Sequence, residues 1–176
     1  AFAEQVGRPP STAASLAVAA PIRGEVLKLS NNPWVIRPAM LANELGVDDL
    51  LLINDFGAVG HAVAHAGPEY FRPIAGPDAD LPREGVITIA GPGTGLGVAA
   101  LLRRGGRAFV IETEGGHMDF APLDSLEEAI LARLRAQHRR VSVERIVSGP
   151  GLVAIHATIA KLEGRPVEPR EDKELW

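Results

Sequence analysis

Two short apolar runs that end in polar or glycine residues constrain this 176-residue chain more than any other feature. The first, Asp48 to Phe56, reads DDLLLINDF; the second, Gly85 to Gly97, reads GVITIAGPGTGLG. A Leu/Ile run that short, closed by polar groups, is how a buried parallel strand looks when its carboxyl end carries a site. Helical patterns alternate with these strands, so the expected class is α/β.

The remaining elements follow from local chemistry. Residues 13 to 20 are small and apolar, suit a buried strand, and form a hairpin with GEVLKLS (24–30) if Arg23-Gly24 turns the chain. Asn31 to Trp34 is a polar turn carrying one large aromatic, which is expected to pack. Pro38 can open a helix to Leu45, with Gly46 as its stop. Residues 57 to 66 read as a helix leaving the Leu/Ile strand. The Pro- and Gly-rich stretch 67 to 85 is the candidate boundary between two lobes. Arg104-Gly105-Gly106 predicts a hairpin between Val98–Leu102 and Arg107–Ile111. Asp124 or Ser125 can cap a helix over Leu126 to His138, whose apolar stripe is Leu126, Ile130, Leu131 and Leu134. Ser148-Gly149-Pro150-Gly151 starts a last helix through Leu162, closed by Gly164.

Composition removes several function classes. Cysteine is absent, which excludes a disulfide scaffold, Cys-ligated zinc, an iron–sulfur site and a thiol nucleophile. A net charge of -4 offers no broad cationic surface for nucleic acid. No apolar run approaches the ~18 residues of a membrane span. Ala13 to Ala20 is too short and has no basic segment before it, unlike a signal peptide. A soluble, cytoplasmic protein is expected.

Four segments could carry chemistry. In GPGTGLG, glycines at every second position let the backbone pass close to another group, and exposed N–H groups beside Thr94 could bind phosphate. The spacing fits neither a Walker loop, since Val98 follows Gly97, nor the dinucleotide fingerprint, since Leu96 occupies the third glycine position. A plain tight turn is the alternative. Asp55, at the end of the Leu/Ile strand, could accept a hydroxyl proton with Asn54 holding a neighbouring hydroxyl; alternatively Asp55 caps the next helix. In EGGH, Glu114 and His117 flank two glycines, again suggesting close approach to a ligand. Glu114, His117 and Asp119 admit a metal-dependent hydrolase, although no second His stands at zincin spacing. Glu112, Glu114 and Asp119 could supply a glycosidase pair, but nothing fixes their separation. Glu144 is by itself a solvated surface Glu. His61 and His65 share a helix face and read as surface residues without a third ligand. Trp34 and Trp176 read as packing residues.

Six segments occur together in one order: SLAVAAPI, SNNPW, LLLINDF, GPGTGLG, EGGHMDFAP and SVERIVSGPGL. In that order they resemble the bacterial glucokinase family, within the hexokinase and actin-like ATPase superfamily, over residues 13 to 160. The resemblance implies a two-lobe, ribonuclease H-like α/β fold. It also implies ATP-dependent phosphorylation of the glucose 6-hydroxyl, with Mg²⁺ held mainly by the ATP phosphates. By the same resemblance, Asp55 matches the catalytic base and Asn54 its sugar-binding neighbour. Glu114, His117 and Glu144 match further glucose ligands, while Gly93, Thr94 and Gly95 match a phosphate loop facing ATP. Asn31 and Trp34 match a segment near the sugar. No resident metal site is implied, and neither nucleic acid nor membrane is a partner; a homodimer is left open.

The chain departs from the family pattern in two places. It has no Asp-x-Gly-Gly-Thr phosphate motif and no later Gly-Gly adenosine motif. The expectation is a central fragment, incomplete at both ends, of a chain nearly twice as long. Residues 1–66 would be part of the small lobe and 67–176 the first part of the large lobe, with weak or absent kinase activity in the fragment. A non-catalytic sugar-binding or regulatory relative is the competing reading.

Overall fold

In the computed structural model the described residues are 7, 12–20, 22–29, 33–167 and 170–175. Asn31, one of the residues matched to the sugar side, and Trp176 lie outside them. The chain divides into two compact units, Ala1–Arg72 and Pro73–Trp176. Residues 67–72 thus fall in the first unit.

In the first unit, β1 (Ala13–Val18) runs parallel to β4 (Asp49–Asn54), in register from Ala13 opposite Asp49 to Val18 opposite Asn54. The Thr12 carbonyl accepts from both Asp48 and Asp49 N–H groups, at 3.0 and 3.1 Å, and starts the pairing. Parallel strands need a long crossover, and this one contains β2 (Leu27–Lys28), β3 (Val35–Ile36) and α1 (Pro38–Leu45). Helix α1 obeys its sequence signals: Pro38 stands in the first turn and Gly46 closes it at φ 66°. There Gly46 and Val47 return N–H bonds to Asn43 and Ala42. Helix α2 (Asp55–His65) leaves β4 without a loop.

Three expectations fail here. The hairpin is not between residues 13–20 and 24–30. Instead Leu27 pairs with Ile36 and Lys28 with Val35, antiparallel, while β1 pairs with β4. Gly24 is at φ 77°, but the chain does not double back into a ladder there. The strand at 13–18 is present yet mostly exposed, with Leu16 37% accessible. An apolar run specifies extended backbone more surely than it specifies what will cover it. Trp34 is also not packed away: it is 70% exposed.

The second unit holds an antiparallel sheet of β5 (Gly85–Pro92), β6 (Leu96–Arg104) and β7 (Arg107–Thr113), with β6 central. Gly105 and Gly106, at φ 58° and 72°, form the two-residue turn between β6 and β7. Positive φ at both positions matches the right-handed twist of the flanking strands, and only glycine adopts it without cost. Ala99 and Leu101 on β6 are fully buried. A second cluster joins α3 (Ser125–Arg135) to α4 (Gly149–Leu162). It consists of Ile130, Leu131, Leu134 and Val141, packed by Phe120, Ile146, Ala154 and Ile155.

Caps explain both helix starts. Asp124 accepts from Glu127 N–H at 2.9 Å, and the Glu127 carboxylate accepts from Leu123 N–H at 2.7 Å. Ser148 Oγ accepts from Gly151 N–H at 3.2 Å. Helix α3 ends three residues before the expected His138, where Gln137 N–H turns to the Leu134 carbonyl, three residues back and not four. Leu126, placed on the apolar stripe, is 44% exposed, so the buried stripe is Ile130, Leu131 and Leu134. No helix among the described residues is long and apolar enough to cross a membrane.

Leu101→Ala is expected to destabilise the second unit by about 2–5 kcal/mol, because removing a fully buried side chain costs transfer energy and leaves a cavity. Leu126→Ala should cost well under half as much. Urea denaturation of the two variants checks the ordering.

Candidate active site

The first unit presents Asn54 and Asp55 at the carboxyl end of β4. Asn54 is the N-cap of α2: its Oδ1 accepts from Phe56 N–H at 2.9 Å and Gly57 N–H at 3.1 Å. The capping role that the sequence offered to Asp55 therefore belongs to Asn54. Asp55 is the first residue of the helix, and its Oδ1 accepts from Phe56 N–H at 2.9 Å. Strand, cap and first turn together fix Asp55 at a junction where its backbone has little freedom. The helix N-terminus also favours a negative charge there.

The second unit brings three sequence-predicted segments together. The glycine ribbon is mostly strand: Gly91 and Pro92 end β5, Leu96 and Gly97 begin β6, and Gly93, Thr94 and Gly95 make the turn. Within it Gly93 N–H donates to the Gly95 carbonyl at 2.8 Å. None of these glycines sits at positive φ. At position 95 the reason for glycine is space, since a Cβ would stand 2.5 Å from Glu144 Oε2. That carboxylate oxygen accepts from Leu96 N–H at 3.0 Å across 48 positions of sequence. The turn is tied to α4 as well, through Gly149 N–H donating to the Gly93 carbonyl at 2.8 Å.

Glu114 follows β7 directly and precedes the single 3-10 turn Gly115–His117. Here too glycine is required for approach, because a Cβ on Gly116 would lie 2.3 Å from the Leu96 carbonyl oxygen. The turn leaves His117 Nε2 3.6 Å from Glu114 Oε2, and Nδ1 4.0 Å from Glu144 Oε1. Glu144 stands in another 3-10 turn, Val143–Arg145. Its side chain is 30% exposed and already bonded, unlike the solvated Glu that its sequence context suggests. Two carboxylates and an imidazole thus border one patch at the edge of the glycine turn. Carboxylates accept from hydroxyls and an imidazole can donate or accept, so the patch suits a polyhydroxylated ligand.

The metal reading receives no such support. Arg140 binds the Asp119 carboxylate at 2.5 Å. Among the described residues no three His, Asp or Glu side chains gather as metal ligands. His61 and His65 are exposed on α2. Sequence reasoning missed two partners: the Leu96 N–H, which no side-chain motif could signal, and Arg140, whose only trace is its place in the basic run before SVER.

Comparison with known proteins bears on this arrangement. A family profile described as Glucokinase matches residues 1–175. The chain belongs to the glucokinase family. It is 62% identical over 175 residues to a glucokinase of Zymomonas mobilis, covering 99% of this chain and 54% of that one. It is 40% identical over 180 residues to a glucokinase of Xanthomonas campestris, covering 99% and 52%. Among solved structures, glucokinase from an Antarctic psychrotroph superimposes with a TM-score of 0.77 at 30% identity, covering 97% of this chain and 52% of that one. Glucokinase from Balamuthia mandrillaris, solved in complex with glucose, gives 0.76 at 25% identity, covering 98% and 54%. The chain spans about half the length of these relatives. The mixed α/β architecture is that of a partial actin-like kinase fold.

The two glycine approaches predict an ordering. Gly116→Ala meets backbone, so it should destabilise by about 1–3 kcal/mol. Gly95→Ala meets only the tip of Glu144, so it should cost less while breaking the Leu96–Glu144 hydrogen bond. Thermal melts and amide hydrogen exchange at Leu96 read both effects.

Proposed function

We propose that this chain carries the sugar site and part of the phosphate site of a glucokinase that transfers the γ-phosphoryl of ATP to the glucose 6-hydroxyl. The observation that carries this reading is the convergence of Glu114, His117 and Glu144 beside the Gly93–Gly95 turn. It stands together with family membership over residues 1–175. Glucose is the substrate named for the Balamuthia relative, and a pyranose ring of hydroxyls is the ligand this donor and acceptor set fits.

In this reading Glu114 and Glu144 accept hydroxyl protons from the sugar, and His117 completes the set. Glu144 has one oxygen committed to Leu96 N–H, so its other oxygen is left oriented toward His117. Asn54 has the role of holding a neighbouring sugar hydroxyl. Asp55 orients the 6-hydroxyl and accepts its proton as the new P–O bond forms; a loose phosphoryl-transfer transition state releases that proton late, so a weak base suffices. Gly93, Thr94 and Gly95 face the phosphates. A magnesium ion would ride on the ATP phosphates. Residues 1–66 and 67–176 correspond in this reading to parts of the small and large lobes. A cytoplasmic location follows from the substrates.

Calorimetric titration tests the sugar site directly. D-Glucose should bind the chain, and Glu144→Gln should weaken binding roughly tenfold or more, because a charge-assisted hydrogen bond is lost. An absence of glucose binding would overturn the reading. Carried in a chain of full family length, Asp55→Asn should lower kcat by about 10²–10⁴-fold with little change in KM for glucose. A coupled assay for glucose 6-phosphate measures it, and a near-normal kcat would remove Asp55 from the mechanism.

A further inference from the structure

Arg140 lies outside the residues that the sugar-site reading uses, yet it grips the segment that carries one of them. Its Nη2 donates to the His117 carbonyl at 2.7 Å, and its Nε donates to Asp119 Oδ1 at 2.5 Å. Immediately after Arg140 the chain pairs with the same segment. Phe120 N–H donates to the Val141 carbonyl at 3.1 Å, and Val143 N–H donates to the Met118 carbonyl at 2.8 Å. Asp119 stands opposite Ser142 as an isolated antiparallel bridge. This miniature ladder joins the segment after the His117 turn to the segment that leads into the Glu144 turn.

We propose that Arg140 is a positioning residue whose guanidinium fork fixes the His117 backbone against residues 141–144, and so sets the imidazole opposite the Glu144 carboxylate. The two acceptors it spans are a backbone oxygen and a carboxylate two residues apart. A planar guanidinium can serve both at once in fixed geometry; a lysine ammonium presents one compact charge on a flexible stem. Arg140 and Asp119 are 62% and 72% exposed. An exposed pair of this kind contributes little to global stability. The consequence of losing it therefore falls on local geometry, where His117 is held from behind.

The effect on sugar rests on the reading of the preceding subsection, but the positioning can be read without sugar. Histidine-labelled chain gives imidazole nitrogen signals, with that of His117 assigned through His117→Gln. Arg140→Lys and Arg140→Gln are expected to move the His117 signals. They should also weaken D-glucose binding roughly tenfold, as small misplacements of a binding group do. Their melting temperatures should stay within about 4 °C of the parent. Asp119→Asn keeps an accepting oxygen and should remain close to the parent in all three measurements. If Arg140→Lys leaves the imidazole signals and glucose affinity unchanged, the positioning role is overturned. It is equally overturned if affinity falls only in step with melting temperature. Should the parent chain bind no glucose, the sugar-site reading fails, and the imidazole signals alone decide the role of Arg140. If Arg140→Gln does not fold, Arg140→Lys carries the decision.

Discussion

Leu96 is the point at which three stretches of backbone meet, and the site in the second unit depends on that meeting. Its N–H is taken by the Glu144 carboxylate, and its carbonyl lies against Gly116, where no side chain fits. Its neighbour Gly95 gives Glu144 room to arrive. One residue with an ordinary apolar side chain thereby ties the glycine turn, the EGGH turn and the SVER turn together through main-chain atoms. A side chain at 116 would meet the Leu96 backbone, whereas one at 95 would meet only the end of the Glu144 side chain. The glycines of the ribbon thus matter for close approach more than for unusual dihedral angles.

That distinction explains how much of the molecule could be read in the sequence. Helix α1 was legible to the residue because Pro38 and Gly46 act locally. So was the turn at Gly105-Gly106, whose handedness is fixed by two residues alone. Pairing partners were not legible. Whether residues 13–18 pair with 24–30 or with 49–54 depends on contacts far apart in sequence, and the nearer partner was the wrong one. Burial was also partly opaque: Trp34 and Leu126 carry apolar side chains, yet the fold leaves both largely open to solvent.

For the candidate site, residue types were legible and their connections were not. Glu114, His117 and the glycine turn announce themselves by composition. Glu144 looks like any surface glutamate until a partner 48 positions away is known. The helix cap shows the same limit at shorter range. Asn54 and Asp55 are both good capping residues, and only the backbone direction at the end of β4 decides that Asn54 caps and Asp55 begins the helix.

The β6–β7 register gives the hairpin tip an influence beyond its own neighbourhood. Leu96 begins β6 and Glu114 follows the end of β7, with Val98 opposite Thr113. Spacing between the two is counted from the tip at Gly105-Gly106, at the opposite end of the strands. Strand pairing has a period of two, so a slip of one residue there would reverse every side chain along β7. It would also carry Glu114 out of step with Glu144. Two small residues that touch no ligand therefore serve as the ruler against which the site is measured.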